Sequence, residues 1–259
     1  MLAVVTPSDG KSDRRRIKTV QYGRIVHISV GSKVSYRRLK KVLAPFEGRF
    51  LAAEGIKTHS LRPFDPSPIA ERLLFEQFCR YVLTLKGYRT AVAVVDPAGR
   101  HIGEPLFTEV VAHAAAVTVF TLLDTEALCE GWLKATGTCP DTVDRKAFLY
   151  SADCCFAPQG FLGFEGTLFG LGGRDLDCDS IPVPFDLLPL FSTDIDRKKL
   201  ICLIKYAENR YFDRIPSVPT EAVYPNDING HTNQNPRFNR GFAQPLEGAI
   251  TGLTPKRGH

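Results

Sequence analysis

Chemistry in this chain would centre on Asp96. The apolar run Ala91-Val92-Ala93-Val94-Val95 ends in Asp96-Pro97-Ala98-Gly99-Arg100-His101-Ile102-Gly103. Open α/β sheets gather ligands outside the carboxyl ends of their strands, so a carboxylate there can act as a general base or a metal ligand. The bland role for Asp96 is that of a turn former before Pro97, which needs only a short acceptor side chain. Gly99 and Gly103 would let an anionic group approach the backbone, and Arg100 would add a cation. A second apolar run, Val117-Thr118-Val119-Phe120, is followed by Thr121 at the same expected edge. Asp96, Gly99, Arg100, Gly103 and Thr121 are therefore the candidate ligand-binding residues. No residue is assigned a catalytic role.

In layout, this segment is similar to a dinucleotide-binding unit. Such a unit needs G-x-G-x-x-G in the first turn and an acidic residue about 20 positions on, to hold the ribose. Here the two glycines stand four apart, and the second run closes on Thr121. The positions that would touch the cofactor depart from the pattern, so the cofactor is left open. A competing reading makes 96–99 the turn of a β-hairpin, with 100–102 as its return strand. A haloacid-dehalogenase type of phosphatase would need a second aspartate where Ala98 stands.

Other constellations are incomplete. Asp175, Asp177 and Asp179 alternate, which would put three carboxylates on one face of an extended loop, a pattern suited to Ca²⁺ or Mg²⁺. An EF-hand would need Gly where Ser180 stands, so a solvated acidic loop is preferred and no metal is assigned. Gly170-Leu171-Gly172-Gly173 lacks the Gly-Lys-Ser/Thr of a phosphate-binding loop, and no G-x-S-x-G elbow exists. The histidines at 27, 59, 101 and 113 form no metal pair, and His101 alone falls near the expected sheet edge. Seven cysteines, with no C-x-x-C pair and several inside apolar runs, read as reduced, mostly buried thiols of a cytoplasmic protein.

These residues need elements to hold them. The spacing predicts strands at 25–30, 50–53, 91–95, 117–121, 154–157 and 167–171. Helical periodicity predicts helices from Ser35 to Phe46, from Pro66 to Gly87, over 104–114, from Asp124 to Gly137, and over 194–206. Strand-helix-strand-helix-strand from residue 91 implies right-handed crossovers and a parallel sheet. The expected fold is α/β: a three-layer, mainly parallel Rossmann-like sheet with helices on both faces, plus an N-terminal α/β portion.

Four regions follow from composition. Residues 1–23 read as a basic N-terminal extension, 24–87 as the N-terminal α/β portion, 88–215 as the Rossmann-like domain, and 216–259 as a disordered tail rich in Pro, Asn and Gly. Residues 1–10 lack the features of a secretory signal, and no apolar run is long enough to span a bilayer. Positive charge is concentrated between residues 11 and 49. Twelve cations there face only Asp13 and Glu47, an excess of ten in a chain whose net charge is +5. The expected function is binding of a small anionic or nucleotide-like ligand at the carboxyl edge of the sheet. The alternative is a non-catalytic scaffold, or a protein that binds nucleic acid or an acidic partner through its basic N-terminal region. Oligomeric state and ligand identity are left open.

Overall fold

The structure, a computed structural model, describes residues 1–8, 14–58, 60–85, 89–145 and 149–208. In chain order the strands are β1 (Leu2–Pro7), β2 (Ile17–Tyr22), β3 (Ile25–Val30), β4 (Phe50–Ala52), β5 (Ala91–Val95), β6 (Ala116–Phe120), β7 (Asp141–Val143), β8 (Cys154–Phe156) and β9 (Thr167–Phe169). The helices are α1 (Tyr36–Leu43), α2 (Ser67–Thr84), α3 (Pro105–His113), α4 (Glu126–Thr136) and α5 (Arg197–Glu208).

The strands form two sheets. The first has the order β2-β3-β1-β4; β1 is parallel to β3 and β4, and β2 is an antiparallel edge. The second has the order β7-β6-β5-β8-β9 and is parallel throughout. Read along the chain, its strands run outward from β5 through β6 to β7, then return to the other side of β5 for β8 and β9. That is the doubly wound order of a Rossmann-like sheet, and it places the reversal between β5 and β8. The run 91–95 is apolar without alternation because β5 is the central strand. Val92 and Val94 face one layer, and Ala93 and Val95 face the other.

One apolar cluster joins the two sheets. It contains Leu2, Val4 and Leu51 of the first sheet, Val92, Val94 and Val119 of the second, and Phe75, Phe78, Leu200 and Leu203 of α2 and α5. Phe107 of α3 and Trp132 of α4 pack into the same cluster. On the opposite face of the second sheet, Ala93, Val95 and Cys155 are covered by Leu149 and Phe161, which lie outside the helices. On the far face of the first sheet, α1 lays Leu39 and Leu43 over Ala3, Val5 and Ile28.

Two expectations are corrected. Residues 1–23 are not an extension: β1 lies between β3 and β4 with Leu2 through Thr6 all buried, and β2 completes the sheet. The sequence Leu2-Ala3-Val4-Val5 carries this strand, and the neighbouring arginines mask it in composition. The hairpin reading of residues 96–102 also fails, because β5 pairs in parallel with β6 and β8 and no strand returns along it. A short edge strand, β7, was not anticipated. Two of its three residues are exposed, so it has no apolar signature. The expected tail at 216–259 lies outside the described residues. No helix among the described residues is long and apolar enough to cross a membrane.

Candidate functional site

The Asp96 loop is closed upon itself. Asp96 is buried, and its carboxylate accepts three backbone N–H groups, from Arg100 at 3.0 Å, His101 at 2.7 Å and Ile102 at 3.1 Å. The amide of Gly99 donates to the Asp96 carbonyl at 3.0 Å, and Gly99 has the left-handed φ of 62° that this turn requires. In a phosphate-binding turn such N–H groups point at the ligand. Here the chain supplies its own anion. The bland role of Asp96 as a turn former is the geometry found.

The other candidates lie around this turn. Arg100 is exposed, Gly103 has no neighbour near its missing Cβ, and Thr121 accepts the amide of Leu123 at 3.3 Å. His101 is buried between Phe75 and Phe156, with ring centroids 5.2 and 5.6 Å away. Its Nε2 lies 3.1 Å from Glu71 Oε1, and its Nδ1 has no hydrogen-bond partner among the described residues.

Glu71 leads to a cleft of about 560 Å³ that the sequence did not announce. Its floor is the chain leaving β8 at Pro158 and Gln159 and the chain leaving β9 at residues 170–173. One wall is the first turns of α2, with Ser67, Ala70 and Glu71; another is the start of α5, with Lys198 and Lys199. The cleft therefore sits at the carboxyl edge of the second sheet, on the β8–β9 side of the strand reversal. The two floor segments cross closely. A Cβ on Gly170, whose φ is 141°, would lie 1.8 Å from the Ala157 carbonyl oxygen, so only glycine fits there.

Charge in the cleft is partly neutralised. Lys198 Nζ donates to Asp175 Oδ1 at 2.6 Å, and this bond holds the Asp175 carboxyl below its usual range. Asp179 pairs with Arg197 at 2.6 Å, and Asp177 accepts the amide of Asp179 at 3.0 Å. The alternating carboxylates thus serve the α5 terminus and an internal turn. Among the described residues, no group of three His, Cys, Asp or Glu side chains could hold a metal ion. Lys199 makes no ion pair among the described residues and is exposed at the cleft wall.

All seven cysteines are free, and Cys79, Cys154, Cys155 and Cys202 are buried. Burial raises the Cys79 thiol and pushes Cys202 up to about 12, which makes both poor nucleophiles.

Comparison with known proteins gives little. No family model matches the chain, and no curated protein matches it. Among solved structures, it is similar to L-tryptophan dehydrogenase from Nostoc punctiforme at 16% identity, with a TM-score of 0.31. The match covers 71% of this chain and spans 61% of that one. A likeness this loose carries no argument, and the Rossmann-like assignment rests on strand order and direction.

Proposed function

We propose that the chain binds a small anionic or nucleotide-like ligand in the cleft beyond β8 and β9. The observation that carries this reading is the convergence of the α5 N-terminus and Lys199 on a cleft of ligand size at the carboxyl edge of a doubly wound sheet. A helix N-terminus presents unpaired N–H groups and the positive end of its dipole. At α5, Asp196 caps the amide of Lys199 at 2.9 Å, which leaves the amides of Arg197 and Lys198 for a ligand. Ser67 and Gln159 add neutral hydrogen-bonding groups, and Glu71, oriented by His101, offers one fixed proton acceptor.

The test is a thermal-shift and calorimetric screen of nucleotides, dinucleotides, sugar phosphates and small dicarboxylates. A specific ligand at 100 times its dissociation constant stabilises the fold by about 2.7 kcal/mol. Lys199→Ala should weaken that ligand about 10- to 150-fold, the loss of a charge-assisted hydrogen bond of about 1.5–3 kcal/mol, while leaving the unliganded melting temperature unchanged. A ligand whose affinity is indifferent to Lys199→Ala would place its site elsewhere.

A further inference from the structure

The fold brings the Arg14–Arg16 turn of the first sheet beside the basic helix α1. From residue 14 to residue 46 the sequence contains Arg14, Arg15, Arg16, Lys18, Arg24, Lys33, Arg37, Arg38, Lys40 and Lys41, and no carboxylate. The rest of the chain holds 23 cations and 28 carboxylates, a net of −5 in a protein whose total is +5. The charge is thus segregated.

Backbone geometry joins the two halves of this cluster. The amide of Lys33 donates to the Arg14 carbonyl at 2.6 Å, and the amide of Gly31 to the Arg16 carbonyl at 2.9 Å. The Arg38 guanidinium donates to the Arg15 carbonyl at 3.0 Å, tying the arginine turn to α1. Arg14, Arg15, Arg16, Lys33, Arg37, Lys40 and Lys41 are all exposed, and none is in an ion pair among the described residues.

We propose that this surface, formed by α1 and the Arg14–Arg16 turn, binds the phosphodiester backbone of a nucleic acid without reading its bases. Duplex DNA carries one negative charge per about 1.7 Å of axis, so several phosphates lie within reach of an eight-residue helix about 12 Å long. Six of the ten cations are arginines, whose planar fork matches phosphate oxygens in pairs. A membrane surface fits less well. The apolar face of α1, with Leu39 and Leu43, is buried on the sheet and offers nothing to insert. An acidic protein partner would want an apolar or aromatic anchor at the centre of the patch. Tyr36 is the aromatic at hand, and its hydroxyl is bonded to Ser60 at 2.7 Å. On α1 four cations stand beside one aromatic, Tyr36, which favours backbone contact over base stacking. This inference is independent of the cleft.

The test is fluorescence anisotropy of the full chain with labelled 20-base-pair DNA and RNA duplexes and with single strands, at about 50 to 200 mM salt. Four or five phosphate contacts predict a loss of about 100-fold or more in affinity across that range. Arg37→Glu/Lys40→Glu/Lys41→Glu should abolish binding with an unchanged melting temperature. Arg89→Glu/Arg100→Glu/Lys134→Glu, which lowers the net charge equally but lies outside the patch, should retain most of it. Equal loss in both variants would reduce the effect to net charge and overturn the proposal. So would absence of binding to every nucleic acid at 50 mM salt. Equal or tighter binding to polyglutamate, or binding to vesicles of anionic lipid with none to nucleic acid, would overturn it in favour of another partner.

Discussion

Replacing Asp96 by alanine should destabilise the protein by about 3–5 kcal/mol, whether or not a ligand is present. The carboxylate is 3% exposed and accepts three backbone N–H groups. The amide of Arg100 lies at the exposed end of the turn and can turn to water. Those of His101 and Ile102 are buried, and each stranded donor costs about 1–3 kcal/mol. For a domain of this size, that corresponds to a fall in melting temperature of about 6–20 °C. Asp96→Asn keeps one acceptor oxygen, which can hold His101 and Ile102, so about 1–2 kcal/mol should be lost. The assay is urea unfolding of wild type and both variants, with the denaturant slopes compared to confirm the same folded state. Formate, small enough to enter the emptied position, should partly restore Asp96→Ala. If Asp96→Ala stays within about 0.5 kcal/mol of wild type, the carboxylate is not what closes the turn and the Asp96 site should be reconsidered for ligand binding.

Gly99→Val should cost about 2 kcal/mol, mainly because a β-branched residue resists the left-handed φ of 62°; the clash of its Cβ with Leu123 Cδ1 at 2.5 Å can be relieved by that exposed side chain. Thermal denaturation without ligand checks it, and an unchanged melting temperature would refute the turn geometry. Removing residues 1–7 takes out the strand between β3 and β4 and should leave the chain unable to unfold cooperatively, as seen by circular dichroism. Burial lowers the His27 pKa below its usual value of 6.5, so the folded state resists its protonation. The stability contributed by neutral His27 should be present above about pH 6.5 and fall as pH drops below it; His27→Gln should flatten that part of the stability-pH profile.

The second sheet was largely legible in the sequence because its central strands have no choice of face. The run at 91–95 is continuous in valine and alanine, that at 117–120 is Val-Thr-Val-Phe, and they end at Asp96 and Thr121, where the chain turns. The first sheet was half legible. β3 and β4 carry apolar residues, whereas β2 exposes Lys18, Thr19, Val20 and Gln21 and resembles any polar segment. The cleft was illegible for a different reason. Its walls come from residues 66–74, 158–159, 170–175 and 196–199, which only the doubly wound order and the α2–α5 contact bring together. The carboxylates at 175 and 179 read as a solvated loop because their partners, Lys198 and Arg197, lie 23 and 18 residues away in sequence.

The two sides of the strand reversal are therefore unequal in what they can bind. Beyond β5, the donors that a doubly wound sheet normally offers to an anion converge on Asp96, and an incoming phosphate would have to displace a covalently attached carboxylate that is already desolvated. Beyond β8 and β9, the helix N-terminus at the cleft is that of α5, the first turns of α2 form the facing wall, and among the described residues the space between them is open. His101 and Glu71 bridge the two sides. The imidazole leaves the same turn that Asp96 organises, and the carboxylate it holds lines the open cleft. A change at Asp96 should therefore reach the cleft through the orientation of Glu71 as well as through global stability, although Asp96 itself touches no ligand there.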